Sequence, residues 1–433
     1  MPPDHVPPSR IGPGGPGSSS VSPPIHRVSV PEAGDTPGLP DMPRLRQARL
    51  AKVRAELARR DLAGALLYDP VNIRYATGSR NMSVWTLHNA VRYCFIATEG
   101  PVVLFDFHGC GHLSAELETI DETRGGIGWY YFGAGPHMEA RARKWAAEIA
   151  DLVGFHGGGN RRLAVDKVDP AGLDALRGLN IEVVDGQGVC ESARLFKTPD
   201  EIAAMQQSIA VAEAGMYRMR EALRPGVSEQ EIWALLHETN IAKGGEWIET
   251  RLLTTGEKTN PWFQEAGTRL LRPGDLLSFD TDLIGPYGYC ADISRTYHCG
   301  PGRPTDEQRK LYRMAWEQIQ HNTALIRPGL GYREFAERAM VLPEDYMPQR
   351  YSVLAHGVGL CDEYPACVYL QDFDDAGYDG VFEAGQTMCV ESYVGVVGGR
   401  EGVKLEQQVL VTDTGVALLS TFPWEEDLLG REI

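Results

Sequence analysis

The chain has 433 residues, a hydrophobic fraction of 43% and a formal net charge of −17. That length exceeds one ordinary core, so two domains are expected. So acidic a surface argues against nucleic-acid and anionic-membrane partners, and no apolar run reaches the length of a bilayer span.

Residues 1–40 ("MPPDHVPPSRIGPGGPGSSSVSPP…") are rich in Pro, Gly and Ser. They lack the apolar segment of a secretory leader and read as a disordered or surface-draped arm. From about Leu45, "RLRQARLAKVRAELARRDLAGALLYDPVNIRYATG" reads as a basic amphipathic helix, a short strand over 63–68 and a turn at Asp69-Pro70. A second strand-like run, "YCFIATEGPVVLFDF", and a helix over 139–153 continue an alternating α/β domain. "LAVDKVDPAGLDALRGLNIEVVDG", a helix between two strands, closes it. Trp129, Tyr130, Tyr131 and Phe132 form an aromatic cluster in this half, read chiefly as core. The boundary falls near 192–197, giving domains over 41–195 and 196–433.

The second half opens with capping signals. Thr198-Pro199-Asp200-Glu201 is a capping box with proline at the first helical position, and boxes recur at Ser228 to Glu231 and Thr305 to Gln308. All three read as structural. "DLLSFDTDLIGPYGYCADISRTYH" then reads as a hairpin around Gly285-Pro286-Tyr287-Gly288, and "MCVESYVGVVGGREGVKLEQQVLVT" as a second around Gly398-Gly399. This half is therefore α+β.

In the first hairpin, strand alternation puts Asp280 and Asp282 on one face, with Leu277 and Phe279 on the other. Asp292, on the returning strand, joins them if the loop has an odd residue count or the strand carries a bulge. In the second hairpin a turn at Gly398-Gly399 sets Glu391 opposite Glu406, where two like charges are unfavourable without a cation between them. His356, in "HGVGLCDEYP", adds an imidazole. Singly, each acid reads as a solvated surface group and the histidine as structural. Together, Asp280, Asp282, Asp292, Glu391, Glu406 and His356 form an oxygen-rich ligand set suited to iron, manganese, cobalt or zinc. Five negative charges roughly balance two divalent ions, which points to a two-metal site. The eight cysteines lack CxxC pairing, which excludes a zinc finger and reads as reduced thiols in a cytoplasmic protein.

The order "D…DIxRT", "HGxG", "E", "GVxxExxxLVT" resembles the pita-bread fold of methionine aminopeptidases, prolidases and creatinases. "ARLFKTPDEIAAM", "LRPGVSEQEI" and "YDPVNIRYATG" resemble the creatinase and prolidase branch. The resemblance implies an α/β creatinase-like N-terminal domain followed by an α+β pita-bread catalytic domain. Peptidases of this fold use a second histidine in HGxGxxxHExP, where this chain offers Asp362 before Glu363 and Pro365. They also place a substrate-contacting histidine where "LTTGEKTNPWFQEAG" offers Trp262 and Phe263, and "EPG" has become Glu391-Ser392-Tyr393.

Missing both histidines argues against amide hydrolysis, which needs an acid for its amine leaving group. Retained ligands argue against a creatinase, which works without metal. The combination looks like the DddP-type dimethylsulfoniopropionate lyases, and this resemblance implies a dinuclear iron-type centre and β-elimination of a small zwitterionic sulfonium. Asp362 is then the base. Its ordinary pKa is about 4, so burial and neighbouring carboxylates have to strengthen it. Tyr351 is a candidate to orient substrate, and Trp262, Phe263 and Tyr364 are candidates to face the sulfonium by cation–π attraction. For each of these residues a packing or loop-supporting role is the alternative. The resemblance also implies a homodimer in which the partner's first domain, through the Trp129 cluster, could reach the active site. Two rival readings are an Xaa-Pro dipeptidase or aminopeptidase-like metallohydrolase, and a non-catalytic interaction protein on the same scaffold.

Overall fold

The computed structural model describes residues 38–430. The arm assigned to residues 1–40 therefore lies, but for its last three positions, outside the described residues. The helix Met42–Arg59 begins at Asp41, whose side chain accepts from the Arg44 amide at 3.1 Å, and it buries Leu45, Leu50, Val53 and Leu57. Six strands follow: β1 (Gly64–Leu67), β2 (Tyr93–Ala97), β3 (Val102–Asp106), β4 (Glu122–Gly125), β5 (Arg162–Val165) and β6 (Glu182–Asp185). They form one mixed sheet in the order β4-β3-β2-β1-β5-β6. Ala65 and Leu67 enter one apolar cluster and Leu66 another, so both faces of β1 are covered. The turn expected at Asp69-Pro70 is instead the start of the helix Pro70–Thr77. Asp69 caps it by accepting from the Val71 amide at 2.8 Å, and Pro70 takes the first turn, where its missing N–H costs nothing. The aromatic cluster divides: Trp129 is buried against Trp145 at 5.2 Å, whereas Tyr131 and Phe132 are 71% and 82% exposed.

The second half is tied to the first by a shared apolar cluster that runs from Leu45 and Leu57 to Leu277 and Phe279. Ion pairs cross the same junction, from Lys52 Nζ to the buried Glu201 Oε2 at 2.6 Å and from the exposed Arg44 Nε to Asp200 Oδ2 at 2.6 Å. Capping boxes start the helices Pro199–Ala222, Glu229–Ala242 and Asp306–Leu325. Among the described residues, no helix is long and apolar enough to cross a membrane.

The strands of this half are β7 (Trp247–Ile248), β8 (Leu253–Thr255), β9 (Leu276–Phe279), β10 (Leu283–Ile284), β11 (Cys290–Ala291) and β12 (Arg295–His298). Then come β13 (Val353–Val358), β14 (Asp362–Val368), β15 (Thr387–Val394), β16 (Val403–Val411) and β17 (Val416–Leu418). Two small sheets, β11-β10-β7 and β12-β9-β8, face a five-stranded antiparallel sheet ordered β14-β13-β15-β16-β17. The pairings Phe279–Arg295 and Leu283–Ala291 share one register, so the first hairpin is a single ladder interrupted at 280–282. Its loop, 285–289, has an odd count, and the register carried through sets Asp282 across from Asp292. In the second hairpin, pairing stops at Val394–Val403 rather than at the glycines, because the Asn260 amide donates to the carbonyls of Val396 and Gly399 at 2.8 and 2.9 Å. The register is nonetheless the one a Gly398-Gly399 turn requires, and Glu391 lies opposite Glu406.

Candidate metal centre

The large sheet presents His356, Cys389 and Gln408 as one row of directly paired residues, and Glu391 and Glu406 as another. The first hairpin docks on this face: the Gln408 side chain accepts from the Asp292 amide at 3.2 Å, and the Ser294 carbonyl accepts from the Glu406 amide at 3.1 Å. Asp280 and Asp282 reach the same cavity because the strand breaks between them. Asp282 takes a positive φ of 37°, a conformation Asp tolerates better than most side chains. The Thr281 hydroxyl replaces the lost ladder contacts, donating to the Ala291 carbonyl at 2.7 Å and accepting from the Ile293 amide at 2.9 Å.

The six residues read as ligands are thus brought together. His356 Nδ1 lies 3.0 Å from the Gly357 carbonyl, a contact that requires the proton on Nδ1 and leaves Nε2 for the cavity. Nε2 stands 3.5 Å from Asp292 Oδ2, 3.4 Å from Glu391 Oε1 and 3.3 Å from Glu406 Oε1. Two groups of potential ligand atoms lie within 4.8 Å of one another: Asp292, His356, Cys389 and Glu406, and Asp280, Asp282 and Asp292. Asp292 is common to both.

Electrostatics mark the cavity as a cation site. Burial, followed by the neighbouring carboxylates, pushes Asp282 and Asp292 well above the usual carboxylate range. Burial also pushes Glu391 up to about 8, against the pull of the Lys404 ammonium. Glu406 is likewise burdened by burial, but Lys404 and His356 outweigh it and hold its pKa low. The His356 ring is opposed by burial, yet Asp362, Glu406 and Glu391 raise its pKa well above the usual value. One oxygen of each of Asp280, Asp292, Glu391 and Glu406 is buried without any hydrogen-bond partner. Such orphaned anionic acceptors are costly unless a cation meets them, so this donor set fits divalent metal.

The other residues singled out from the sequence fall at different places. Asp362 sits at the rim with Oδ1 3.8 Å from His356 Nδ1, and its side chain is 58% exposed, so the burial asked of it is not met within one chain. The next residue, Glu363, points inward to Arg194 Nε at 3.1 Å and Lys197 Nζ at 2.9 Å, and accepts from the Leu360 amide at 2.9 Å. Tyr351 lies with its ring centroid 4.3 Å from Lys404 Nζ and 5.4 Å from the Phe263 ring. Burial, then Glu391, raises its pKa, so the phenol stays protonated. Trp262 is buried beside Phe263 and Tyr393, and Phe263 is 60% exposed. Tyr364 does not join this group. A register shift between His356 and Gly357 turns it outward onto Tyr378, at 5.3 Å. Two cavity residues were not singled out: Cys389, and Lys404, whose ammonium lies 2.7 Å from Glu391 Oε2. Both stand two positions from one of the cavity glutamates on the same strand, and that alternation was the signal available.

Fold and donor set together define a two-domain metal-binding protein of the pita-bread class. The chain matches the creatinase/prolidase N-terminal domain over residues 49–196 and the metallopeptidase family M24 over residues 203–413. The Xaa-Pro dipeptidase from Bacillus anthracis has the same fold, with a TM-score of 0.70 and 20% identity, covering 88% of this chain and 99% of that one. The dimethylsulfoniopropionate lyase DddP of Roseovarius nubinhibens is 42% identical over 91% of this chain and 89% of its own length. The protein of the same name from Roseobacter denitrificans is 39% identical over the same shares. The chain belongs to the DddP family.

Proposed function

We propose that this protein is a carbon–sulfur lyase that cleaves dimethylsulfoniopropionate to dimethyl sulfide and acrylate. The observation that carries the reading is 42% identity, across 91% of the chain, to a protein of that activity. Asp280, Asp282, Asp292, His356, Glu391 and Glu406 would hold two divalent ions, with iron as the metal that the resemblance implies. When bound, such ions supply positive charge for the substrate carboxylate and for the charge that develops as the α-proton leaves.

Asp362 takes the proton from the carbon next to the carboxylate. The electron pair left behind forms the carbon–carbon double bond as the carbon–sulfur bond breaks, and the sulfonium leaves with that bond's pair as neutral dimethyl sulfide. No acid has to protonate the leaving group, which suits a cavity where, among the described residues, His356 is the one histidine at the acid cluster. The exposure of Asp362 supports return of the proton to water. Tyr351, held protonated, is suited to donate a hydrogen bond to the substrate, and the exposed face of Phe263 beside Trp262 is suited to the sulfonium.

The reading places the protein in the cytoplasm as a homodimer, with a first domain over 41–195 and a catalytic domain over 196–433. The exposure of Tyr131 and Phe132 supports a contact of the first domain with a partner.

Purified protein given dimethylsulfoniopropionate should release dimethyl sulfide, and Asp362→Ala should abolish release while bound metal stays nearly unchanged. Cleavage of Xaa-Pro peptides without sulfide would overturn the lyase reading. Loss of metal in the variant would make Asp362 a ligand or the support of one.

A further inference from the structure

Lys404 has no part in the reading above, yet its ammonium lies against three acids of the cluster. We propose that Lys404 is a positioning residue that divides the carboxylates of the metal centre, holding one oxygen of each of Asp280, Glu391 and Glu406 so that the other faces the cavity. This inference rests on the metal-binding reading of the site.

The contacts divide oxygen by oxygen. Lys404 Nζ lies 2.7 Å from Glu391 Oε2, 3.1 Å from Glu406 Oε2 and 3.3 Å from Asp280 Oδ2, and it donates to Ser294 Oγ at 3.0 Å. The opposite oxygens of the same three side chains, Glu391 Oε1, Glu406 Oε1 and Asp280 Oδ1, are buried and have no hydrogen-bond partner. Glu391 Oε1 and Glu406 Oε1 are also the atoms nearest His356 Nε2, at 3.4 and 3.3 Å. Each glutamate thus turns one oxygen to the lysine and the other to the histidine.

The lysine itself is fixed. Its three protons match the three acceptors within 3.1 Å, with Asp280 Oδ2 a further, electrostatic contact. Its backbone is pinned in β16 opposite Tyr393, and its side chain is wholly buried with the Tyr351 ring against it. Free carboxylates crowded round a divalent ion can chelate through both oxygens. With one oxygen of each of the three acids held by the ammonium, each acid would offer a bound ion its other oxygen. The ammonium also cancels one of the five negative charges, and the remainder matches two divalent ions.

The test compares Lys404→Met with the wild type, each as the full chain, stripped by chelator or titrated with Co2+. The expected result is that the variant loses more thermal stability when stripped than when loaded. By linkage, its Co2+ affinity then rises about tenfold or more, because a like charge has left the cavity. The freed oxygens should raise the coordination number and weaken the visible Co2+ absorption, and Lys404→Arg should restore both readouts toward wild type. Folding of the Met variant only in the presence of Co2+ would be the extreme form of the same result.

Equal destabilisation of the stripped and loaded forms, with affinity and spectrum unchanged, would overturn the proposal and leave Lys404 as a core cation. If the Met variant folds in neither state, Lys404→Gln takes its place, and an unchanged Co2+ affinity there overturns the proposal equally. Failure of the wild type to bind Co2+ would instead sink the metal reading itself, and this proposal with it.

Discussion

The loop that carries Asp362 is held from behind by Glu363, and Glu363→Gln tests that arrangement. The wild-type carboxylate is 1% exposed and faces Arg194 and Lys197, themselves 4% and 2% exposed. Glutamine keeps the volume and an oxygen for the Leu360 amide but removes the charge. Arg194 would retain Glu191, and Lys197 would retain the Arg194 carbonyl at 2.7 Å, so two buried cations would be left with one carboxylate partner between them. Breaking a buried pair in this way costs about 3–5 kcal/mol. At about 2 °C per kcal/mol for a large chain, the unfolding midpoint should fall by about 6–10 °C. Dimethyl sulfide release at 20 °C, well below that midpoint, should fall further than the folded fraction does, because residues 359–362 lose their anchor while the metal ligands keep theirs. Thermal unfolding, metal analysis and sulfide release on one preparation give all three quantities. A midpoint within about 2 °C of wild type, or full activity per folded molecule, would refute the anchoring argument.

The remaining predictions concern the metal, the domain junction and pH. Asp292→Ala should remove all tightly bound metal, since Asp292 belongs to both ligand groups, whereas His356→Ala should leave the Asp280–Asp282 group able to hold one ion; elemental analysis reads the difference. Glu201→Ala should cost about 3–5 kcal/mol in chemical denaturation, because it strands Lys52 and Arg49 at the junction. Burial raises the pKa of Glu213 although its side chain accepts from the Thr421 amide at 2.5 Å. A carboxyl whose folded pKa exceeds its unfolded value favours the native state while protonated. That advantage is lost as pH climbs from the ordinary carboxylate range through the raised pKa. Glu213→Gln should therefore gain stability relative to wild type as pH rises from the ordinary carboxylate range, and a difference in midpoint that stays constant as pH rises would contradict the assignment.

Much of the site was legible because β-structure converts sequence distance into faces. Two glycines were enough to set Glu391 opposite Glu406, even though Asn260, more than a hundred residues away, is what closes the actual loop. The same arithmetic carried through to Lys404 would have found it two positions before Glu406, but attention to acids alone passed over a cation on their own face. The place of Tyr364, stacked on Tyr378 and apart from Trp262 and Phe263, was hidden because a register shift changes which way a side chain points, and nothing in "HGVGLCDEYP" announces it. The exposure of Asp362 was equally hidden, since it depends on Glu363 turning inward to Arg194 and Lys197, more than 160 residues upstream.

That inward turn separates two properties that are usually entangled in an enzyme. The candidate metal ligands are spread over two hairpins and the strand that carries His356, and they are held there by the pairing of those strands with one another. Position 362 is different: it projects from a short reversal whose course is dictated by the residue after it. Any side chain encoded there would be delivered to the same spot above the same cage. The fold therefore behaves like a handle with an exchangeable bit: the side chain at position 362 can vary while the strands that carry the acid cluster stay as they are.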